Sequence, residues 1–72
     1  MRSDVELQRD VLNELRRDER LRIADLDVKV EGQVVTLTGR AESTDECWRA
    51  QQLARYIAGM ARVSNHIVVR RP

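Results

Sequence analysis

Apolar and polar positions recur along the chain with two different periods, and the changes of period mark out five elements. Ser3 is followed three residues later by Glu6, a capping box in which hydroxyl and carboxylate each accept an otherwise unpaired backbone N–H. A helix should begin there. At about 100° per residue, Leu7, Val11, Leu15, Leu12 and Val5 form one continuous stripe, while Arg9, Asp10, Asn13, Glu14, Arg16 and Arg17 take most of the remaining surface. The spacing predicts an amphipathic helix packed on a core and ending near Arg17 to Arg20.

From Leu26 the period falls to two. Leu26, Val28 and Val30 alternate with Asp27, Lys29 and Glu31, the pattern of a strand with one wet face. Glu31-Gly32-Gln33 offers a turn with one residue free to take positive φ, and Val35, Leu37 and Gly39 continue the inward alternation against Thr36 and Thr38. The two strands make a β-hairpin.

Ser43 and Glu46 form a second capping box, which predicts a helix from about Thr44 to Ala58 closed by Gly59 as a left-handed cap. Leu53, Ile57, Ala50, Ala54 and Ala58 share one face of that helix, and Arg55, Trp48, Gln52, Tyr56 and Arg49 share the opposite one. Small side chains on the inner face let the helix lie close to a sheet. Val63, Asn65, Ile67 and Val69 then alternate with Ser64, His66, Val68 and Arg70 as a third strand.

The order is α-β-β-α-β. Because every element has a single apolar face, two helices on one face of a three-stranded sheet close the core. The expected fold is an α+β two-layer sandwich, one domain over residues 1–72. Val11, Leu15, Val28, Val35, Leu37, Ala50, Ala54, Ile57, Val63 and Ile67 should form its core. A right-handed crossover through the second helix would set the third strand parallel beside the second and give a mixed sheet. Placing it beside the first strand instead would make the sheet wholly antiparallel, and the pattern leaves that alternative open.

Size bounds the chemistry. With 72 residues, the chain buries only about 60% of the surface that it exposes when unfolded, which leaves little room for a deep substrate cavity. A single cysteine, Cys47, excludes an internal disulfide, and a single histidine, His66, leaves too few soft ligands for a structural zinc. Apolar runs such as Ile67-Val68-Val69 are short, so neither a transmembrane span nor a signal-peptide core is expected. The chain as written reads as cytoplasmic, or as periplasmic if it is excised from a longer secreted protein.

Charge adds an asymmetry that the net value of +1 conceals. Up to Glu46 there are eight basic and twelve acidic residues, a balance of −4; from Cys47 onward there are five arginines and no acid, a balance of +5. Such segregation can create a field over one face and bears on partners rather than on fold.

Candidate chemical groups mostly have structural explanations. Cys47 lies near the start of the second helix, where the dipole would activate a thiol, but Asp45 and Glu46 oppose that effect; a buried small hydrophobe is the expected role. His66 projects from the polar side of its strand with no acid or cysteine near it in sequence, so a nucleophile–base pair is unsupported. Asp25, Asp27, Asp45 and Glu46 suit capping and strand solvation better than metal binding, and the three glycines are too scattered to cradle a phosphate. The constellation worth following is Trp48, Arg49, Gln52, Arg55 and Tyr56. Trp and Tyr combine apolar bodies with polar tips suited to interfaces, and arginine pairs with phosphate. The plainer alternative is that Trp48 folds sideways over the helix–sheet edge as peripheral core.

The run Leu26-Asp-Val-Lys-Val-Glu-Gly-Gln-Val-Val-Thr-Leu-Thr-Gly39, followed by Ser43, an alanine-rich helix and Gly59-Met60-Ala61-Arg62-Val63-Ser64-Asn65, resembles a BON domain, the bacterial osmotic-shock and nodulation module. Met60 stands where that family prefers Val. The opening run from Ser3 to Leu15 is similar to tandem-BON proteins of soil and plant-associated bacteria, and the chain as a whole to tandem-BON osmotic-stress or transport-associated proteins. The resemblance implies a non-enzymatic module without cofactor or metal, binding phospholipid surfaces or mediating assembly. It also matches Gly32, Gly39 and Gly59 to family glycines, which physically read as a turn, a close approach and a helix cap.

Two functions follow as expectations. The first is an interaction module that docks a sister BON domain or another protein through Trp48, Arg49, Gln52, Arg55 and Tyr56. The second is peripheral binding of anionic phospholipid by the basic C-terminal half. Nucleic acid is a poor third, given a net charge of +1 and no aromatic platform on the sheet.

Overall fold

The computed structural model describes residues 3–70. It contains α1 (Asp4–Arg17), β1 (Ala24–Glu31), β2 (Val34–Ala41), α2 (Thr44–Ala58) and β3 (Arg62–Val69), in the expected order. The capping box of α1 is closed. The Glu6 N–H donates to Ser3 Oγ at 3.1 Å and the Ser3 N–H donates back to Glu6 Oε1 at 3.5 Å. Asp4 and Glu6 in the first turn and Arg16 and Arg17 in the last complement the helix dipole.

β1 and β2 pair antiparallel through a two-residue turn, in which Gly32 and Gln33 both take positive φ, 53° and 65°. The turn therefore demands left-handed backbone of Gln33 as well as of the glycine, the geometry of a type I′ hairpin. β3 lies parallel to β2 with α2 as the crossover, so the sheet order is β1-β2-β3 and the sheet is mixed. That settles the alternative left open by the sequence.

α1 packs over β1, α2 packs over β2 and β3, and the helices touch each other. The core joins Leu7, Val11 and Leu15 of α1 and Ala50, Ala54 and Ala58 of α2 to Val28, Val30, Val35, Leu37, Ala41 and Ile67 of the sheet. Three expected placements need correction. Ile57 and Val63 are half-buried rather than buried. Ile57 shares the groove between the two helices with Leu53, and Val63 belongs to an edge strand. Val5 is 74% exposed; the buried stripe is centred on Val11, and Val5 lies about 120° around the helix from it.

The hairpin carries a bulge. Ala24 faces Arg40 and Asp27 faces Thr38, so Asp25 and Leu26 together oppose Gly39 alone. Asp25 takes the extra turn with φ of 54°, and its carboxylate meets the Arg40 guanidinium across the strands. A Cβ on Gly39 would stand 3.1 Å from the Ala24 carbonyl oxygen and 3.2 Å from Leu26 Cα. Gly39 is thus the close approach that lets the bulged strand lie flat against its neighbour.

Candidate functional site

α2 begins at Ser43, whose hydroxyl accepts the Glu46 N–H at 3.2 Å. The second capping box is only half made. Instead of returning to the Ser43 N–H, the Glu46 carboxylate accepts from the Arg22 N–H and the Glu42 N–H, each at 2.9 Å. It therefore staples the α1–β1 loop to the turn that leads into α2. A second tie lies beside it, where Arg49 Nε donates to Asp18 Oδ2 at 3.0 Å. Asp18 also accepts the Arg20 N–H at 2.9 Å. That backbone bond first, and the Arg49 guanidinium second, hold its carboxyl below the ordinary value of 3.8, against the opposing effect of partial desolvation.

These ties give α2 a fixed outer face. Trp48 is 59% exposed and Tyr56 is 88% exposed, so neither serves as core. Trp48 borders a shallow depression of about 480 Å³ together with Arg20, Asp45, Glu46, Arg49 and Gln52. Tyr56 instead borders the groove between the helices, with Leu53 and Ile57 on its own side and Asn13, Glu14 and Arg17 across from it. Arg55 borders a third depression with Gln51, Met60 and Arg62. The five candidate residues share one helix surface, but they open onto three different hollows. Arg49 is committed to Asp18, whereas Arg55, Arg62 and Arg70 are exposed and form no ion pair among the described residues. Arg71, counted in the basic half, lies outside the described residues.

Both outer strands carry stoppers. The Arg62 N–H reaches the Gln33 carbonyl and the Arg70 N–H the Ala41 carbonyl, so even-numbered residues of β3 bond toward β2 and odd-numbered ones point to the open edge. At that edge the Ile67 N–H donates to Asn65 Oδ1 at 3.0 Å, and Cys47 Sγ lies 3.7 Å from the Ile67 carbonyl oxygen. Asn65 Nδ2 in turn donates to the Cys47 carbonyl, to Cys47 Sγ and to Gln51 Oε1. On β1 the Val30 N–H is taken by Gln8 Oε1 at 3.3 Å. Cys47 is accordingly half-buried rather than buried, because it lies over an edge strand. The signal for this network was present in the sequence: Asn65 is the polar residue among the inward positions of β3.

His66 is exposed on the far face of the sheet, 2.8 Å from Ser64 Oγ. The two positions are neighbours on one side of a strand, a contact that the sequence reading passed over. No third group orients the ring among the described residues.

The family model described as BON domain matches residues 3–71. The chain belongs to the BON family. Domains of this family often bind phospholipids or serve as interaction modules. No curated protein matches the chain closely enough to count as a relative. In this BON domain two of the three glycines, Gly32 and Gly59, stand at the hairpin turn and at the end of α2, where nothing lies within 4 Å of an added Cβ, and the third is the packed Gly39.

Proposed function

We propose that this BON domain is a non-enzymatic interaction module that docks a protein partner, sister copies of the domain included. The setting inferred for it is a stress- or envelope-related bacterial protein. The observation that carries the reading is Trp48, a large aromatic side chain held 59% exposed on a helix whose start is pinned by Glu46 and Arg49. Aromatic side chains of this kind, presented on rigid elements beside a hollow, act as anchors at protein interfaces. Gln52, Arg55 and Tyr56 surround it along the same surface.

A second reading rests on the corner formed by Arg55, Met60 and Arg62. Met60 is fully exposed, and the two arginines beside it have no acidic partner among the described residues. An apolar tip between free cations suits anionic headgroups, although one methionine is far less than a true interfacial helix presents.

Sedimentation separates the two. Concentration-dependent self-association without vesicle binding supports docking, whereas salt-sensitive binding to phosphatidylglycerol but not phosphatidylcholine vesicles supports lipid. Replacing Trp48 with Ala should leave the unfolding curve nearly unchanged and weaken by about 1 kcal/mol or more the binding of a partner that docks on the outer side of α2. A variant that unfolds far more easily, yet binds normally when folded, would return Trp48 to the core.

A further inference from the structure

The face of the sheet turned away from the helices has its charges sorted by strand. β1 brings Asp27, Lys29 and Glu31 to it, and β3 brings Arg62, Ser64, His66 and Val68, with Arg70 next in the alternation just past its end. β2 lies between them with Val34, Thr36, Thr38 and Arg40. The register sets these side chains in rows across the sheet: Glu31, Val34 and Arg62 form one, Lys29, Thr36 and Ser64 the next, and Asp27, Thr38 and His66 a third. One rim thus carries two carboxylates on either side of Lys29, the other carries arginines, and the centre is lined by the hydroxyls of Thr36 and Thr38.

We propose that this face docks a second copy of the chain about a two-fold axis parallel to the strands. That axis lays β1 of each copy over β3 of the other and keeps the rows in step, so Glu31 meets Arg62 of the second copy, and Arg62 meets its Glu31. Val34, Thr36 and Thr38 then meet their own equivalents near the axis. Arg40, which also falls there, is already paired with Asp25. A two-fold axis across the strands would instead stack β1 on β1 and β3 on β3, which leaves Glu31 and Arg62 without each other and sets arginine-bearing strands together, so charge favours the first packing. The stoppers at Val30 and Ile67 oppose edge-to-edge growth and favour contact through the face.

Three strands at about 4.8 Å spacing and eight residues at about 3.3 Å rise give a footprint of roughly 14 by 26 Å. Over both copies that is about 730 Å², short of the roughly 1,200 Å² of a stable specific interface, so the dimer is weak, and its charge pairing makes it salt-sensitive. The proposal rests on the docking-module reading and assigns contact between copies to a face other than the outer side of α2. In the dimer Trp48 of each copy still faces outward.

The test is sedimentation equilibrium from micromolar to millimolar concentration at low and high salt, on the native chain, Glu31→Arg, Arg62→Glu, an equimolar mixture of those two, and Trp48→Ala. Glu31 and Arg62 are exposed, so both variants should keep the native circular dichroism. Each alone sets like charges opposite each other and should weaken dimerisation by about tenfold or more. The mixture restores both attractive pairs and should dimerise like the native chain, and Trp48→Ala should be unaffected. The proposal is overturned if the single variants dimerise normally or if the mixture stays monomeric. Self-association that survives the charge swaps but is lost in Trp48→Ala would move the contact to α2, leaving the docking-module reading in place. A chain monomeric at millimolar concentration overturns the sheet contact, and if it also sediments with anionic vesicles, the docking-module reading falls too.

Discussion

Replacing Gly39 with Ala should damage the domain more than the loss of any other glycine, and the structure says how much of the damage is steric. Gly39 has φ of 149°, and an added Cβ would stand 2.8 Å from Ile23 Cγ2, 3.1 Å from the Ala24 carbonyl oxygen and 3.2 Å from Leu26 Cα. The Ile23 methyl can rotate away, but the other two neighbours are backbone of the bulged strand and must move with it. Backbone strain costs about 1–3 kcal/mol and forced repacking another 1–3 kcal/mol, so the expected loss is roughly 2–6 kcal/mol, a large share of what a domain of this size holds. Gly32 is the control. Its φ of 53° is also positive, yet nothing lies within 4 Å of its added Cβ, so Gly32→Ala should cost only the conformational part, about 1–2 kcal/mol. Urea unfolding followed by far-ultraviolet circular dichroism measures both; Trp48 fluorescence is a poor reporter because the indole is exposed. Each kcal/mol lowers the melting temperature of such a domain by about 4–8 °C. If the two variants unfold at the same urea concentration, the close approach at the bulge does not limit stability, and the role assigned to Gly39 is wrong.

Leu37 is fully buried at the centre of β2, so Leu37→Ala should cost about 2–5 kcal/mol by chemical denaturation, and an unchanged midpoint would remove it from the core. Asp18 is held below its ordinary value by the Arg20 N–H and Arg49. Because its pKa is lower folded than unfolded, its contribution is present above 3.8 and is lost as pH falls through the folded value. Asp18→Asn should therefore flatten that acid limb of stability against pH while leaving the histidine range untouched, and an unchanged acid limb would deny the Asp18–Arg49 tie its role.

The elements were readable because each carried a local signal that survived packing. Ser3 and Glu6 started α1, Ser43 started α2, and the alternation through Val28, Val30, Val35 and Leu37 gave the faces of the hairpin. What could not be read depended on partners distant in the chain. Glu46 looked like half of a capping box, but its carboxylate went to Arg22, 24 residues away. Asp25 tolerates left-handed backbone better than most residues, but nothing near it in the chain calls for it; the bulge arises where two residues of β1 match one glycine of β2. A helical wheel placed Trp48, Arg49, Gln52, Arg55 and Tyr56 on one surface, yet it could not show that Arg49 is held by Asp18 or that the five open onto separate hollows. Wheel angles order side chains around a helix and say nothing of what stands beside it.

The side chains that bond the edge backbone at Ile67 and Val30 stand in the way of a fourth strand on either side. Sheets that lie bare at both sides can zip together whenever copies are crowded, because an incoming strand finds backbone partners waiting. Here a newcomer must first evict Asn65 and Cys47 on one side, or Gln8 on the other, and lose their bonds before it gains its own. Crowding raises the number of encounters without lowering that barrier. A domain built this way can be held at high local density, copy beside copy, and remain a set of separate folded units.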